Sequence, residues 1–592
     1  GISVPTELQT TKSSISKAMA GFQKEKDTNG IDIYRCNGWD YPQLLETISR
    51  GIEKCRKEQV PALFHIDQLT QPLGHSTSGS HERYKSAERL QWEKDYDCLK
   101  RFREWIIDEK IATAAELDEI SNKAMQQVKD AQKKEWKNYF STFKTELKTL
   151  IEMISVNDNY SDETAEIVKK IKNISKLPAF TRRDYFSLAQ RLYFVLQKEH
   201  SNNEIAQKLE DWVVSYKQRS KTIYSNYLYR EGADSALKVK HVEAKYDGDA
   251  QSANGFEILN KNFDALFNKY PLLVTFGQDT GHLGGVNQGM KGMQAKYGKH
   301  RVFDTGIRET TIIGQGIGLA MRGFRPIAEI QYLDYLNYAH STLSDDLATL
   351  QYRSKGRQAA PVIVRTRGHQ LQGVWHAGSP MQMLLGSMKG IYLCVPRNMV
   401  QAAGMYNTLL QANDPAIVIE PLKAYSRRDK VPANLGEFTV QLGRPEILTE
   451  GDDVTLVTYG WNVTLALEAA KILLQHNIHV EVIDVQTLMP FDVHHDILKS
   501  IKKTNKVIFL DEDFIGGGSA YMLQKVVEDQ QAFNYLDAAP KTVSSYDNRP
   551  AYGTDGEYFT KPNTEDIIQA VFNLLYETDR EKYPKINFKN PL

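Results

Sequence analysis

The chain has 592 residues, which suggests about four domains and is ample for several buried cores. Lysine plus arginine number 74, as do aspartate plus glutamate, so no net field draws the chain to nucleic acid or an anionic membrane. Cys36, Cys55, Cys98 and Cys394 form no CxxC pair; this argues against a zinc knuckle or disulfide scaffold and fits a reducing cytoplasm, and no apolar run approaches the ~18 residues of a membrane span.

The opening, GISVPTELQTTKSS, has neither an initiator Met nor a signal-peptide core, and Gly1 to Pro5 reads as the end of a buried strand or loop. Residues 40–57 are predicted helical, because Leu44, Leu45, Ile48, Ile52 and Cys55 recur at helical spacing. Residues 61–66 follow as a short strand, and the polar, Ser- and Gly-rich stretch 71–86 as a loop. Trp92 to Ile107 is predicted to be one amphipathic helix. From about residue 115 to 245 glycine almost vanishes and charge rises, which predicts a helical insert. Within it, Thr181 with Asp184 makes a capping-box-like start, and Tyr185, Leu188, Leu192, Val195 and Leu196 mark one helix face. Lys238 to Gly255 reads as a linker.

Residues 256–430 alternate strands and helices, with buried strands predicted at 272–276, 361–365 and 416–420. That is the pattern of a doubly wound α/β domain. A basic turn at 427–430 precedes a smaller α/β domain, with strands at 454–458, 480–485 and 507–510 and a helix at 464–474. The triplet Gly516-Gly517-Gly518 lacks the lysine and Ser/Thr spacing of a phosphate loop, so a tight turn is the better reading. Glu309 stands just before an apolar run containing Gly314, Gly316 and Gly318. A carboxyl beside a tightly packed helix is expected to be partly buried, and burial raises its pKa. The plainer alternative is a helix-start Glu favoured by the macrodipole.

Four motifs, GQDTGHLGGV, RVFDTGIRE, EIQYLDYLNYA and VIEPLKAYSRRD, occur in that order. Together they resemble the β chain of thiamine-diphosphate-dependent 2-oxo acid dehydrogenases. Upstream, Gly74-His75-Ser76-Thr77-Ser78, then Arg83-Tyr84 and Trp92, resemble the second half of the α chain. The likeness covers roughly residues 1–121 and 251–592 and implies a fused α–β first component. The expected fold is α/β: a thiamine-diphosphate-binding fold with doubly wound parallel sheets, a helical insert and a C-terminal transketolase-like domain. Expected boundaries are 1–121 for the end of the diphosphate-binding part, 122–250 for the insert and linker, 251–430 for the pyrimidine-binding domain and 431–592 for the C-terminal domain.

The resemblance also implies roles. Glu309 matches the acid that protonates the cofactor's aminopyrimidine. Gln331 and Tyr335 match residues that contact and stack on that ring, and Ile307 lines it. Ile2 matches the bulky apolar residue that props the cofactor's bent shape. His75 matches the histidine that assists acyl transfer to a lipoyl group. His376 matches the second active-site histidine, with His369 as a nearby competitor. In the family the stretch before Ile2 binds magnesium and the diphosphate through a Gly-Asp-Gly to Asn-Asn segment that this chain lacks. An N-terminally incomplete sequence is therefore expected, with the Mg2+ ligands upstream and no metal ligand among these residues.

The match has departures. His-Ala-Gly-Ser replaces the usual His-Ser-Gln-Ser at 376–379, Gln278 stands where Glu is common, and Arg308 sits beside the acid. The reaction implied is oxidative decarboxylation of a 2-oxo acid with reductive acylation of a lipoyl group on an acyltransferase partner. GHSTS favours branched-chain acids of the 3-methyl-2-oxobutanoate type. A pyruvate enzyme, a transketolase or deoxyxylulose-phosphate synthase, and an inactive scaffold subunit are the alternatives. A homodimer of fused chains in the cytoplasm is expected.

Overall fold

The computed structural model describes residues 6–70, 81–156, 160–199, 204–371, 373–376 and 380–585. Chain contacts divide it into two compact units, Gly1–Ser215 and Tyr216–Leu592. Ile2 and His75 lie outside the described residues.

The first unit begins with a parallel strand pair, Asp32–Asn37 against Ala62–Asp67, joined by the helix Tyr41–Glu58. Asp40 caps that helix by accepting from Gln43 N at 3.1 Å, and Gln59 ends it in the left-handed region at φ 57°. The sequence 92–107 is broken into two helices, Ala87–Asp95 and Cys98–Asp108, rather than running as one. The reason is Asp97, whose carboxylate accepts from Lys100 N at 3.0 Å and starts a second helix. The buried Glu93 gathers Lys85 at 2.7 Å, Arg89 at 2.9 Å and His81 at 3.3 Å. Burial pushes the Glu93 carboxyl up, but the two cations outweigh it and hold the pKa low.

The rest of this unit is helical: Ala114–Ile154, Asp162–Ile174, Arg182–Lys198 and the start of Glu204–Ser225. The junction at 121/122 falls inside the 41-residue first helix. Phe140, Phe143, Leu147, Leu150 and Ile154 recur every three or four residues and are buried. The predicted capping box of Thr181 and Asp184 is present. Tyr185, Leu192 and Leu196 on the face it starts are buried, while Leu188 and Val195 are half-buried.

The second unit holds two larger sheets. The seven-stranded sheet runs in the order Thr487–Met489, Tyr392–Cys394, Ala416–Pro421, Ile363–Gly368, Arg325–Tyr332, Leu273–Gly277 and Val302–Asp304. All neighbours are parallel except the first pair. The antiparallel edge strand, Thr487–Met489, comes from the far C-terminal part of the chain. The five-stranded sheet has the order Glu446–Thr449, Val480–Asp484, Val454–Thr458, Val507–Leu510 and Lys541–Val543, again parallel except at its first pair. The fully buried central strands explain the near-continuous apolar runs in the sequence. Residues 252–254 of the expected linker pair antiparallel with Arg428–Lys430.

The helix Glu309–Met321 covers the larger sheet. A Cβ at Gly316 would lie 3.1 Å from Val362 and 3.5 Å from Ala328, whereas Gly314 and Gly318 have open space. Of the three, Gly316 is the one that packs closely against the sheet.

Inside that sheet lies a buried ionic lattice. Arg365 bonds Glu329 at 2.7 Å and Glu420 at 2.9 Å, and Arg367 bonds the other oxygen of Glu329 at 2.7 Å. All four side chains are fully shielded from solvent. Burial alone would raise the Glu329 pKa, but Arg367 and Arg365 hold it below the usual carboxylate range. Glu329→Gln leaves two buried guanidiniums sharing one carboxylate, and a broken buried pair costs about 3–5 kcal/mol. We expect the urea midpoint, followed by circular dichroism, to fall accordingly.

Candidate active site

Parallel α/β sheets bind ligands beyond the carboxyl ends of their strands, where the connecting loops diverge. At that edge of the seven-stranded sheet, four segments bring polar groups together. Gln331 ends the strand Arg325–Tyr332 and is buried, and its amide donates to Asp279 Oδ2 at 3.0 Å. Asp279 follows the strand Leu273–Gly277 and is itself left-handed, at φ 59°. Its carbonyl accepts from Gly285 N at 2.7 Å, which turns the glycine-rich loop back on itself.

The next segment, Leu333–Ala339, is a 3-10 stretch carrying Tyr335 and Tyr338. Thr310 Oγ donates to Tyr338 O at 2.6 Å, which ties this stretch to the helix that Glu309 opens. Burial chiefly, then the neighbouring Tyr332 and Tyr338 and the Glu309 carboxylate, raise the Tyr335 pKa. Glu309 is half-buried at the first helical residue, and no described residue donates a hydrogen bond to it. Ile307, two residues earlier, is 68% exposed. Arg308 is exposed and has no ion-pair partner among the described residues.

The fourth segment is the short turn Val374–His376. The His376 ring lies 4.5 Å from the Tyr332 ring and 5.2 Å from the Tyr335 ring, centroid to centroid. Its Nε2 is 3.5 Å from the Tyr335 hydroxyl, and its buried Nδ1 has no partner among the described residues. His369 lies elsewhere. It is fully buried, at φ 60°, with its ring 5.3 Å from Tyr459 and close against Gly460. Of the two histidines, His376 is therefore the one gathered with Tyr335. Tyr332, Tyr338 and Asp279 also belong to this constellation and were not singled out as site residues from the sequence; the aromatic spacing of EIQYLDYLNYA was the available signal.

Below His369 lies an acidic run at the end of the strand Val507–Leu510. Burial, then the adjacent Asp511, pushes the Asp513 carboxyl up to about 8. Burial also opposes ionisation of Glu512, but Lys561 and His369 outweigh it and hold that group down to about 2.

Comparison with known proteins decides the family. Residues 9–141 match the family described as "Dehydrogenase E1 component", residues 252–427 "Transketolase, pyrimidine binding domain" and residues 443–567 "Transketolase, C-terminal domain". The chain is 32% identical over 320 residues to "Pyruvate dehydrogenase E1 component subunit beta" of Acholeplasma laidlawii, spanning 54% of this chain and 96% of that one. The chain belongs to the thiamine-diphosphate-dependent 2-oxo acid dehydrogenases, as an E1 chain with α-like and β-like parts fused. The Bacillus subtilis protein of the same name is 32% identical, over 51% of this chain and 92% of its own length. The "2-oxoisovalerate dehydrogenase subunit beta, mitochondrial" of Dictyostelium discoideum is also 32% identical, over 53% and 85%. E1 components of this family work within multienzyme 2-oxo acid dehydrogenase complexes.

The residues at the sheet edge suit the pyrimidine end of the family's cofactor. An aminopyrimidine needs a carboxyl at one ring nitrogen, an aromatic face and an amide partner; Glu309, Tyr335 and Gln331 supply these types. Among the described residues, buried Thr305 Oγ and His376 Nδ1 both lack a partner, as expected of groups left for a polar ligand. Gln331→Leu removes an amide that holds Asp279 and faces this edge. A lost hydrogen bond of about 1–1.5 kcal/mol corresponds to roughly tenfold weaker thiamine diphosphate binding, to be read by calorimetry.

Proposed function

We propose that this E1 chain decarboxylates a branched-chain 2-oxo acid of the 3-methyl-2-oxobutanoate type. The acyl group then passes to a lipoyl group on an acyltransferase partner. The observation that carries the reading is the gathering of Glu309, Gln331, Tyr335 and His376 at one carboxyl edge of the parallel sheet. The GHSTS motif and the oxoisovalerate relative support the branched-chain choice.

Thiamine diphosphate, when bound, supplies a carbon nucleophile and an electron sink for loss of carbon dioxide. The chain's own residues bind and orient it and hold its protons. Glu309 holds a proton for the far pyrimidine nitrogen. Tyr335 offers a ring face and Gln331 an amide, with Ile307 and Ile2 as apolar walls. His376 is placed to move a proton near the 2-oxo acid, and an imidazole does so readily at neutral pH. His75 serves transfer to the lipoyl disulfide. Mg2+ accompanies the diphosphate, and the chain acts as a homodimer in the cytoplasm.

Two measurements test this. In the first, kcat/KM for 3-methyl-2-oxobutanoate should exceed that for pyruvate. A preference for pyruvate would overturn the branched-chain choice, and activity on a ketose phosphate alone would favour a transketolase. In the second, Glu309→Gln keeps the side chain's shape but removes the proton it holds. Decarboxylation should fall by roughly 10²-fold or more, the size of a general acid–base contribution. Wild-type turnover in that variant would refute the role given to Glu309.

A further inference from the structure

His376 lies in the segment between the strand Ile363–Gly368 and the helix Met381–Ser387. Both ends of that segment are held by two consecutive acidic side chains of the C-terminal domain. Glu512 accepts from Gln370 N at 2.9 and 3.1 Å and from the Gln370 amide at 2.8 Å. Asp513 accepts from Gln382 N at 3.0 Å. Lys561 locks the first end further, donating to Leu371 O at 3.0 Å and to Glu512 at 3.2 Å. Lys423 donates to the Gln370 side-chain oxygen, Oε1, at 2.7 Å.

The chain needs holding there. His369 and Gln370 are consecutive non-glycine residues in the left-handed region, at φ 60° and 59°. Such backbone persists only where surrounding contacts over-determine it. The Gly516–Gly518 turn allows the acidic side chains to do so. A Cβ at Gly517 would lie 2.1 Å from Asp513 Oδ2, and one at Gly518 2.2 Å from the Tyr459 hydroxyl. The glycine triplet is thus a close-approach turn beside the clamp.

We propose that Glu512, Asp513 and Lys561 are positioning residues, through which the C-terminal domain sets the place of His376 by fixing Gln370 and Leu371 before it and Gln382 after it. The proposal rests on the reading of His376 as an active-site group. It goes beyond that reading by assigning the active-site loop's geometry to a domain that contributes no residue to the constellation described above.

The test uses the full chain. Glu512→Gln with Lys561→Met removes the buried charge pair as a unit, so no lone charge is stranded. Asp513→Ala releases the other end, and Glu512→Asp serves as the conservative variant if the double change fails to fold. Amide hydrogen exchange is read across 368–385, and decarboxylation is measured with His376 intact and in a His376→Ala background. We expect exchange at 370–382 to quicken about tenfold or more while the strand Ile363–Gly368 keeps its protection. Turnover should fall roughly tenfold with His376 present, since small misplacements of a catalytic group carry costs of that order. It should fall no further once His376 is gone. Unchanged exchange across 370–382 overturns the clamp. Equal losses in both backgrounds overturn its action through His376. Full activity of His376→Ala with quickened exchange in the clamp variants would refute the reading of His376 and not the clamp.

Discussion

The ionic lattice of Glu329, Arg365, Arg367 and Glu420 is the constraint on which the second unit depends. These residues lie on three neighbouring parallel strands, where Glu329 pairs in register with Arg365 and Arg367 with Glu420. Tyr425 and Tyr406 add further hydrogen bonds, with the Tyr425 hydroxyl meeting both guanidiniums and Tyr406 donating to Glu420. Two cations meet two anions in a dry interior, so the lattice is neutral only as a whole. A one-residue slip would turn each side chain to the opposite face and strand a charge in hydrocarbon. The lattice therefore selects one register, and with it the heights at which the strands end. Those ends carry Gln331 and the loop of His376.

The same lattice explains the glycine-rich run after the strand Leu273–Gly277. A Cβ at Gly289 would lie 2.5 Å from Arg365 Nη2, and one at Gly285 would lie 3.3 Å from Arg367 Nη2. The loop's backbone passes over the guanidiniums, and side chains there would displace it. Its return places Asp279 against Gln331. Charge pairing in the core and the site's outer loop are thus linked through backbone contact.

Much of the fold was legible because buried parallel strands are written as unbroken apolar runs. The stretches 416–420, 454–458 and 507–510 needed no tertiary information. Trp92 to Ile107 misled, because a single capping aspartate in an amphipathic stretch restarts the helix without changing its hydrophobic period. Motif order pointed to Glu309, Gln331, Tyr335 and His376 as candidate site residues. The contacts that gather them were not legible, because they join distant segments: Tyr335 meets His376, 41 residues away, and Glu512 holds a residue 142 positions earlier. Spacing rules reach about one or two helical turns, so such pairs leave no local trace.

The antiparallel edge strand Thr487–Met489 has a consequence for how this gene can be rearranged. It closes the seven-stranded sheet by pairing with Tyr392–Cys394, yet it is encoded after the first strands of the five-stranded sheet. A break between the two domains, anywhere near residues 431–486, would leave Tyr392, Leu393 and Cys394 as an uncovered apolar edge. Bare edges of that kind recruit other chains and aggregate. The pyrimidine-binding and C-terminal portions are therefore interlocked as one heritable cassette. Shuffling, splitting or truncating the gene within it should yield insoluble fragments, not separable modules.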